Sequence, residues 1–508
     1  MERSTAILVA LLAFLVALVA IGVRASRQTT SSDGFYLGGR SLGPWVAALA
    51  ANASSSSAWS IVGASGFAYK AGLAALWLIP GCVGGFLLNW FVVAPRLRAQ
   101  TGGAITLTDY LAGPRGAPGR RPIVVFAALL TLASLLTYVA AQMQAAGAAF
   151  AHAFPQTFGD NATVGIVIGA CVTVGYTLFG GYLAASVTDT VQGLLMAAVA
   201  VVVPAAAVAH AGGVAAFFEA VGSVGAETGF KALEDGLTAT QWLGGTSAYE
   251  GYGAAAFAFG LVGIGLGYPG QPHAVNKYMG MAPDASMTVA RTVGLTWAVV
   301  LYTGMITLGW AVRIWFPMAD GRHEEAVYEA SRQLLPVVVD GVVVASVLAA
   351  IMSTVDSQLL VCASSVSHDL GLARRFPSQM LTIARATVLS IGAGALIAAI
   401  LLPNDVFGNV MFAWAALGSA FGPLLLVRLC VGPVAPRFAL ASMMTGGVSA
   451  VVFFYTSRLQ LHALPAGFLD RCASWALALG IAWLGARRAR SLRGSAPSER
   501  STSERSTS

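Results

Sequence analysis

Charged residues are scarce in this chain, and its cysteines lack the spacing of a metal site. Of 508 residues only 10% are charged, whereas 57% are hydrophobic and the mean hydropathy is +0.74. Such a composition excludes a soluble globular protein. The five cysteines lie in or beside apolar segments without a CxxC pair, so neither disulfides nor a metal centre are indicated. No basic module with interleaved aromatic residues is present, so no nucleic-acid partner is expected.

Long apolar runs fill most of the chain instead. About twenty apolar residues cross a bilayer as a helix, and segments of about this length recur from end to end. The sequence therefore predicts an all-α polytopic membrane protein with about thirteen transmembrane helices, at residues 6–23, 44–66, 73–93, 123–150, 164–179, 187–208, 254–268, 289–315, 337–366, 383–402, 406–427, 438–454 and 472–484.

The distribution of charge predicts the orientation of these helices. Arg and Lys are concentrated in alternate loops, with Lys277 and Arg291 counted among them, while acidic residues such as Glu234 and Glu324 fall in the loops between. Loops rich in Arg and Lys stay in the cytoplasm. We therefore predict an extracellular N-terminus, a cytoplasmic C-terminus and a location in a plasma membrane of bacterial type.

A polar run interrupts the apolar segment 337–366. It reads AAIMSTVDSQ from Ala349 to Gln358. On a helix Ala350, Ser353 and Thr354 share one face, and hydroxyls in a membrane must face protein, water or an ion. Hydroxyl and carbonyl oxygens without a fixed carboxylate suit a weakly held alkali cation, which predicts half of a sodium site. The alternative is that these hydroxyls only support helix packing.

Two other segments predict broken helices. Residues 52–60, NASSSSAWS, contain four consecutive serines, and residues 260–273, GLVGIGLGYPGQPH, combine glycines with two prolines. Transporters with inverted repeats place broken helices at corresponding positions of their two halves. We therefore predict two inverted five-helix repeats, each with a broken first helix, with one extra helix before them and two after.

This interpretation divides the chain into six parts. They are an extra N-terminal helix and cytoplasmic loop (1–41), a first repeat (42–210), an extracellular loop (211–250), a second repeat (251–430), two C-terminal helices (431–488) and a disordered cytoplasmic tail (489–508).

Several short motifs resemble the solute:sodium symporter family, and in particular its bacterial proline-transporting branch. The resemblance extends from about residue 35 to 428 and is carried by FYLGGRSLGPW at 35–45, LNW at 88–90, GGYLA at 180–184, TDTVQ at 188–192, GLGY at 265–268, GQPH at 270–273, QLLVC at 358–362 and AWA at 413–415.

The resemblance implies a set of site residues. Sodium would be bound by backbone carbonyls and two hydroxyls, namely those of Ala53, Ser56 and Ala350 and of Ser353 and Thr354. The substrate would be surrounded by Ser57, Trp59, Tyr138 and the break from Tyr268 to Pro272. Asp189 would lie on the exit route of the ion; the alternative is that it caps the start of its helix.

Two positions that would lie beside the substrate depart from the family pattern. Proline carriers have an acidic residue where Ser55 stands and a tryptophan where Ile264 stands. The missing carboxylate removes a charge that could assist cation binding, and the missing indole changes the wall of the substrate site.

The function that these features predict is sodium-coupled symport. The chain would import a small organic solute by alternating access, with proline or a related amino acid expected and sodium as the co-transported ion. The alternative is an organic anion such as pantothenate or a monocarboxylate; a channel or a transporter-like sensor stays open. No clustered His, Cys and Asp, phosphate loop or nucleophile motif indicates an enzyme. The expected partners are the solute, sodium and the bilayer.

Overall fold

The computed structural model describes most of the chain. The described residues are 3–26, 37–158, 162–179, 181–224, 237–318, 321–403, 405–459, 464–465 and 467–494. Within them the chain is helical, and the one pairing of extended backbone is an isolated parallel bridge between Leu42 and Met281. The predicted all-α class is therefore confirmed.

Twenty-three α-helices follow one another in the described part of the chain. In order they are α1 (Arg3–Ser26), α2 (Pro44–Ser55), α3 (Ala64–Ala71), α4 (Leu78–Leu88), α5 (Ala94–Gln100), α6 (Leu107–Ala112), α7 (Arg120–Ala153), α8 (Pro155–Phe158), α9 (Ala162–Phe179), α10 (Tyr182–His210), α11 (Val214–Ser223), α12 (Ala239–Trp242), α13 (Gly251–Val262), α14 (Ile264–Gly267), α15 (Pro272–Met279), α16 (Met287–Trp315), α17 (Ala326–Leu334), α18 (Val337–Ser364), α19 (Leu372–Arg375), α20 (Met380–Leu401), α21 (Val406–Cys430), α22 (Pro436–Arg458) and α23 (Ser474–Gly494).

Shorter helical turns of other kinds connect these elements. The 3₁₀ turns are Gly38–Arg40, Gly72–Trp77, Tyr268–Gly270, His323–Glu325 and Pro377–Gln379. Wider π turns are found at Trp59–Gly63, Asn89–Val93, Ser365–Asp369 and Phe468–Ala473. Such π turns are frequent at functional sites.

Ten helical segments of the described chain are long and apolar enough to cross a membrane. They include Arg3–Ala25, Tyr182–His210, Val337–Asp369 and Val406–Cys430. The segment Thr163–Leu178 is apolar but shorter. The predicted count of thirteen stays a prediction.

The first predicted break lies where the serines are. Helix α2 ends at Ser55, and Ser56 leaves the helical conformation with φ −120° and ψ 81°. Helical structure resumes at Ala58, directly before the π turn that begins at Trp59. Serine side chains compete with the helix for backbone hydrogen bonds, which explains the break at this position.

The second break is built from glycine and proline. After α13 and the short α14, a 3₁₀ turn at Tyr268–Gly270 leads to Gln271, whose backbone is extended at φ −89° and ψ 103°. Pro272 then opens α15, where its missing N–H costs no hydrogen bond. A side chain on Gly270 would collide with Leu417 and Gly418 of α21, so the backbones can approach only because glycine stands there.

The two breaks are neighbours in the folded chain. Leu42, just before α2, pairs with Met281, just after α15, and α15 packs against α2. Helices α10, α16 and α18 also pack against α2. Asn52 of α2 donates its side-chain N–H to the carbonyl of Gly294 in α16 at 2.6 Å, which fixes these helices to each other. Polar backbone groups freed by the breaks are thereby collected at the centre of the bundle.

Parts of the predicted division fall outside the described residues. Glu227, Glu234 and Asp235 of the predicted extracellular loop lie there, as does the tail from 495 onward. The described ends of that loop contain α11 and α12. Helix α23 runs to Gly494, six residues into the region predicted as tail.

Candidate functional site

Four of the five predicted sodium ligands meet in the structure. The hydroxyls of Ser353 and Thr354 on α18 lie 3.2 and 3.4 Å from the carbonyl oxygen of Ala53, at the end of α2. The Ser353 hydroxyl also lies 3.1 Å from the carbonyl of Ala350. All four residues are fully buried.

The spacing of these oxygens suits a small hard cation. Two oxygens held about 2.4 Å from such a cation, at right angles to each other, are about 3.4 Å apart. The three oxygen–oxygen distances in this group, 3.2, 3.1 and 3.4 Å, are close to this value. Oxygen-only ligands favour an alkali or alkaline-earth ion over a transition metal.

Ser56, the fifth predicted ligand, lies beside the cluster. Its backbone N–H donates to the carbonyl of Ala53 at 3.2 Å, and its backbone has left the helix. Its own carbonyl is therefore no longer committed to an i to i+4 helical bond. The role of Ser56 as a ligand stays a prediction.

Aromatic side chains pack around Trp59, the first residue of the π turn that follows the first break. Trp59, fully buried, has its ring centroid 5.8 Å from that of Tyr302, 6.0 Å from Phe407 and 6.3 Å from Trp414. Tyr268 from the second break packs 4.7 Å from Trp414, edge to face. This aromatic cluster therefore joins both breaks to α16 and α21.

Hydroxyl groups line the same region. The Ser57 and Tyr138 hydroxyls lie 3.4 Å apart, and those of Tyr268 and Tyr302 lie 3.0 Å apart. The free N–H of Ala58 in the first break donates to the side chain of Gln142 on α7 at 3.1 Å. A small solute with polar ends and an apolar body would match hydroxyls set among aromatic rings.

The remaining predicted substrate residues contribute in different ways. Ser55 directs its hydroxyl back along α2, donating to the carbonyls of Ala51 at 2.8 Å and Asn52 at 3.1 Å. Ile264 presents its carbonyl to the indole N–H of Trp414 at 3.0 Å. Pro272 is buried at the start of α15. The side chains of Ser57, Trp59, Tyr138 and Tyr268 therefore lie in the region around the aromatic cluster. Ile264 contributes its backbone carbonyl there.

Asp189 lies deep in the protein. It is the eighth residue of α10, so the alternative that it caps the start of its helix is wrong. Its carboxylate accepts from the hydroxyls of Ser54 at 3.1 Å and Ser357 at 3.3 Å, and it forms an ion pair with Lys277 at 2.8 Å. Lys277, which the charge pattern assigned to a cytoplasmic loop, is only 2% exposed.

Asp356, two residues beyond Thr354, lies near enough to Asp189 and Lys277 to interact with their charges. It lines a separate cavity between α1, α9 and α10, together with apolar and aromatic residues such as Val19 and Tyr176. Neither of its carboxylate oxygens has a hydrogen-bond partner among the residues that the structure describes.

Sequence reasoning did not select Tyr302, Phe407, Trp414, Gln142 or Lys277 as site residues. Trp414 lies in the AWA motif at 413–415, and this motif was the sequence signal that could have identified it. Tyr302, Phe407 and Gln142 occur in helices whose pattern is typical of ordinary packing. Lys277 was assigned to a cytoplasmic loop, so the proximity of all four to the breaks follows only from the fold.

The family model for "Sodium:solute symporter family" matches residues 35–446. The chain belongs to this family. A sodium/proline symporter of Salmonella typhimurium is 33% identical over 483 residues, with 92% of each chain covered. The osmoregulated proline transporter OpuE of Bacillus subtilis is 32% identical, with 89% of each chain covered. Membership places the chain in the plasma membrane as a sodium-coupled symporter.

Solved structures support the fold. A sodium-coupled sialic acid symporter in a substrate-bound outward-open state aligns with a TM-score of 0.75 at 17% identity, covering 96% of this chain and 98% of that one. Mhp1, a nucleobase-cation-symport-1 family transporter, aligns in its closed conformation with a TM-score of 0.58 at 16% identity, covering 91% and 96% of the two chains. These similarities show that the chain has the fold of sodium symporters.

Proposed function

We propose that this symporter imports proline or a related amino acid together with sodium. The observation that carries the proposal is that the hydroxyls of Ser353 and Thr354 on α18 meet the carbonyl of Ala53 on α2 at distances that suit a bound cation. The names of the relatives at about a third identity favour proline as the solute.

In the proposed mechanism sodium binds at the four oxygens described above, with the carbonyl of Ser56 as a fifth ligand. An ion held between α2 and α18 draws the end of the first broken helix against α18. Ser57 and Trp59 follow directly in the chain, so the same movement orders the substrate side of the break. Sodium binding therefore raises the affinity for the solute.

The proposed topology has an extracellular N-terminus and a cytoplasmic C-terminus, with the two repeats at 42–210 and 251–430. It rests on the distribution of Arg and Lys along the chain. Asp189 then lies on the cytoplasmic side of the sodium site, on the route by which the ion leaves.

Uptake in proteoliposomes tests the coupling. Purified protein is reconstituted, and labelled proline is supplied outside with an inward gradient of sodium or of choline. Accumulation above the external concentration with sodium, and equilibration or no uptake with choline, is the expected result. Equal uptake in both salts would contradict sodium symport, and rapid equilibration without accumulation would indicate a channel.

A substitution at Ser55 separates amino acids from organic anions. We predict that Ser55→Asp keeps measurable proline uptake, because proline carriers have an acid at this position and the solute carries an ammonium. An Asp cannot donate to the Ala51 and Asn52 carbonyls as Ser55 does, so its carboxylate would turn away from them. If the solute were an anion, an uncompensated buried charge would cost several kcal/mol and abolish transport.

The measurement is uptake of labelled proline and of labelled pantothenate by wild type and Ser55→Asp. Ser55→Ala is the control for loss of the hydroxyl alone. Complete loss of transport in a well-folded Ser55→Asp protein, with pantothenate uptake in wild type, would favour the anion alternative.

A further inference from the structure

A charged centre lies beside the proposed sodium cluster, which consists of the oxygens of Ala53, Ala350, Ser353 and Thr354. The ammonium of Lys277 is 2.8 Å from the carboxylate of Asp189, and the two side chains are 2% and 0% exposed. The same ammonium donates to the hydroxyl of Ser186 at 3.2 Å and lies 5.0 Å from the centre of the Tyr182 ring. A lysine is rarely buried this completely unless it is paired.

The oxygens around Asp189 form a cation site with an ammonium beside it. One carboxylate oxygen of Asp189 accepts from Ser54 at 3.1 Å and from Ser357 at 3.3 Å, and the two hydroxyls are 3.0 Å apart. The other carboxylate oxygen is buried and has no hydrogen-bond partner among the described residues. Two hydroxyls and a carboxylate are hard oxygen ligands of the kind that bind sodium.

The residues of this centre are close in sequence to those of the sodium cluster. Ser54 follows Ala53 directly, and Ser357 follows Ser353 and Thr354 by four and three residues on the same helix. One helical turn advances about 5.4 Å. An ion leaving the Ala53 carbonyl along α18 therefore meets Asp189 next.

A narrow cavity continues from this centre along α18. Its walls include Lys277, Ser357 and Ser364, and also Ile105 and Thr106 just before α6. Its free volume of about 20 Å³ holds roughly one water molecule. The hydroxyl of Thr106 in this wall donates to the carboxylate of Asp369 at 2.7 Å, which ties the loop to the turn that follows α18.

Lys277 is carried by a half-helix that packs against α2. It belongs to α15, the half-helix that begins directly after the second break. An ammonium on a four-carbon stem is a compact charge that can be drawn away from a carboxylate without unfolding the helix that carries it.

We propose that Lys277 is a tethered competitor of sodium at Asp189, and that its return to the carboxylate drives the ion off its exit route. This inference rests on the proposed sodium symport and adds a residue that sets sodium release. When sodium reaches Asp189 the ammonium withdraws. When the ammonium returns, Asp189 is neutralised again and sodium leaves through the cavity.

Removing the charge of Lys277 tests this competition. In Lys277→Met, Asp189 is left with no competing cation, so sodium should bind more tightly. We expect the sodium concentration at half-maximal thermal stabilisation of the purified full-length protein to fall about tenfold, with choline chloride keeping the ionic strength constant. Net sodium-driven uptake should slow because the ion leaves more slowly. Exchange of labelled for unlabelled proline, with saturating sodium on both faces, should continue.

A second pair of variants makes the same comparison without the carboxylate. Asp189→Asn leaves the ammonium unpaired beside the site and should raise the half-saturating sodium concentration about tenfold. Adding Lys277→Met to Asp189→Asn should lower it again. This pair decides the question if Lys277→Met alone does not fold, since the double variant removes both the carboxylate of residue 189 and the ammonium of residue 277.

The outcomes separate this inference from the proposed function. If sodium does not stabilise the wild type, both are overturned. If sodium stabilises the wild type but removing Lys277 leaves the half-saturating concentration unchanged in both backgrounds, the ion pair is only structural and this inference alone is overturned. If Lys277→Met lowers the thermal stability in choline but leaves the sodium titration unchanged, the ion pair serves only to stabilise the fold.

Discussion

At the scale of single residues, the proposed sodium cluster depends on two hydroxyls. Those of Ser353 and Thr354 converge on the carbonyl of Ala53, which comes from a helix 300 residues away in sequence. Both side chains are fully buried, and neither carries a charge. An ion held by neutral oxygens is bound weakly enough to be released in each transport cycle.

Thr354→Ala should therefore raise the sodium requirement of transport with little effect on folding. The substitution removes one of five proposed ligands, while the apolar contacts of α18 stay. We expect the sodium concentration for half-maximal proline uptake to rise at least tenfold, which corresponds to about 1.4 kcal/mol of sodium binding. Ser353→Ala should behave in the same way.

Thr354→Val supplies the matched control, because it keeps the branched shape and loses only the hydroxyl. It should resemble Thr354→Ala in its sodium dependence. If instead both variants lowered the yield of folded protein and left the sodium dependence of the remaining uptake unchanged, the hydroxyl would serve helix packing and the ion-site assignment would be wrong.

At the scale of elements, the second broken helix depends on a glycine contact with α21. A Cβ atom on Gly267 would lie 2.2 Å from the indole nitrogen of Trp414, and that nitrogen donates to the carbonyl of Ile264 at 3.0 Å. Any side chain at residue 267 must displace this indole and break its hydrogen bond. The close approach also holds Tyr268 against Trp414.

Gly267→Ala should destabilise the protein and reduce transport together. Overpacking of this kind costs about 1–3 kcal/mol, and the displaced Trp414 would disturb the aromatic cluster that contains Trp59. Thermal unfolding and proline uptake measure the two effects. Gly84→Ala on α4 is the control, since a Cβ atom there meets no atom of the described residues within 4 Å. Similar behaviour of the two variants would contradict the contact.

A loop outside the membrane-spanning segments holds the start of α21. Glu324, in the turn His323–Glu325, accepts from the backbone N–H groups of Val406 at 3.4 Å and Phe407 at 3.0 Å. Burial raises the pKa of this carboxyl to about 7, with a further contribution from nearby Asp405, although the two N–H groups act in the opposite direction. The folded protein therefore holds a proton on Glu324 more tightly than the unfolded chain does.

The sign of the pH effect follows from this difference. Between the ordinary pKa of 4.5 and about 7 the unfolded chain has lost the proton while the folded protein still holds it, so stability falls as the pH rises. Each pKa unit corresponds to about 1.4 kcal/mol, and partial exposure of the group reduces the total. Glu324→Gln cannot ionise, so its stability should fall less from pH 5 to pH 8.

Thermal unfolding of wild type and Glu324→Gln across this range checks the expectation. Glu325→Gln is the neighbouring control; its carboxylate pairs with Arg322 at the surface. It should follow the wild-type curve. An unchanged pH dependence in Glu324→Gln would show that another group is responsible.

At the scale of the whole molecule, sodium and solute should bind cooperatively. The sodium cluster uses the end of α2, and the proposed substrate residues Ser57 and Trp59 begin within a few residues of it. Two ligands that stabilise one arrangement of the break must raise each other's affinity by the same factor. Separate sites on separate helices would not require this.

The prediction is that proline affinity rises on replacing choline with sodium, and that sodium affinity rises by an equal factor with saturating proline. Calorimetric titration or Trp fluorescence of the purified protein can measure both. Equal proline affinity in sodium and choline would contradict the mechanism. Ser353→Ala should reduce the coupling factor toward one while leaving some proline binding.

The amino-acid sequence by itself determined those features of this symporter that depend on nearby residues. Apolar runs predicted a helical membrane protein, the serines at 54–57 and the glycines and prolines at 260–273 predicted both breaks, and one helical face of α18 held Ser353 and Thr354. Each of these features is local. Whether a helix forms, where it is interrupted and which side chains share one of its faces all depend on residues within a few positions of each other.

Only the tertiary structure decided which distant residues meet at the site. Lys277 is indistinguishable in sequence from a loop cation. It became a buried partner of Asp189, 88 residues earlier in the chain, because α15 and α10 both pack against α2. Tyr302, Phe407 and Trp414 surround Trp59 for the same kind of reason. Contacts between helices depend on the packing of whole helices against one another, and no local pattern in the sequence records it.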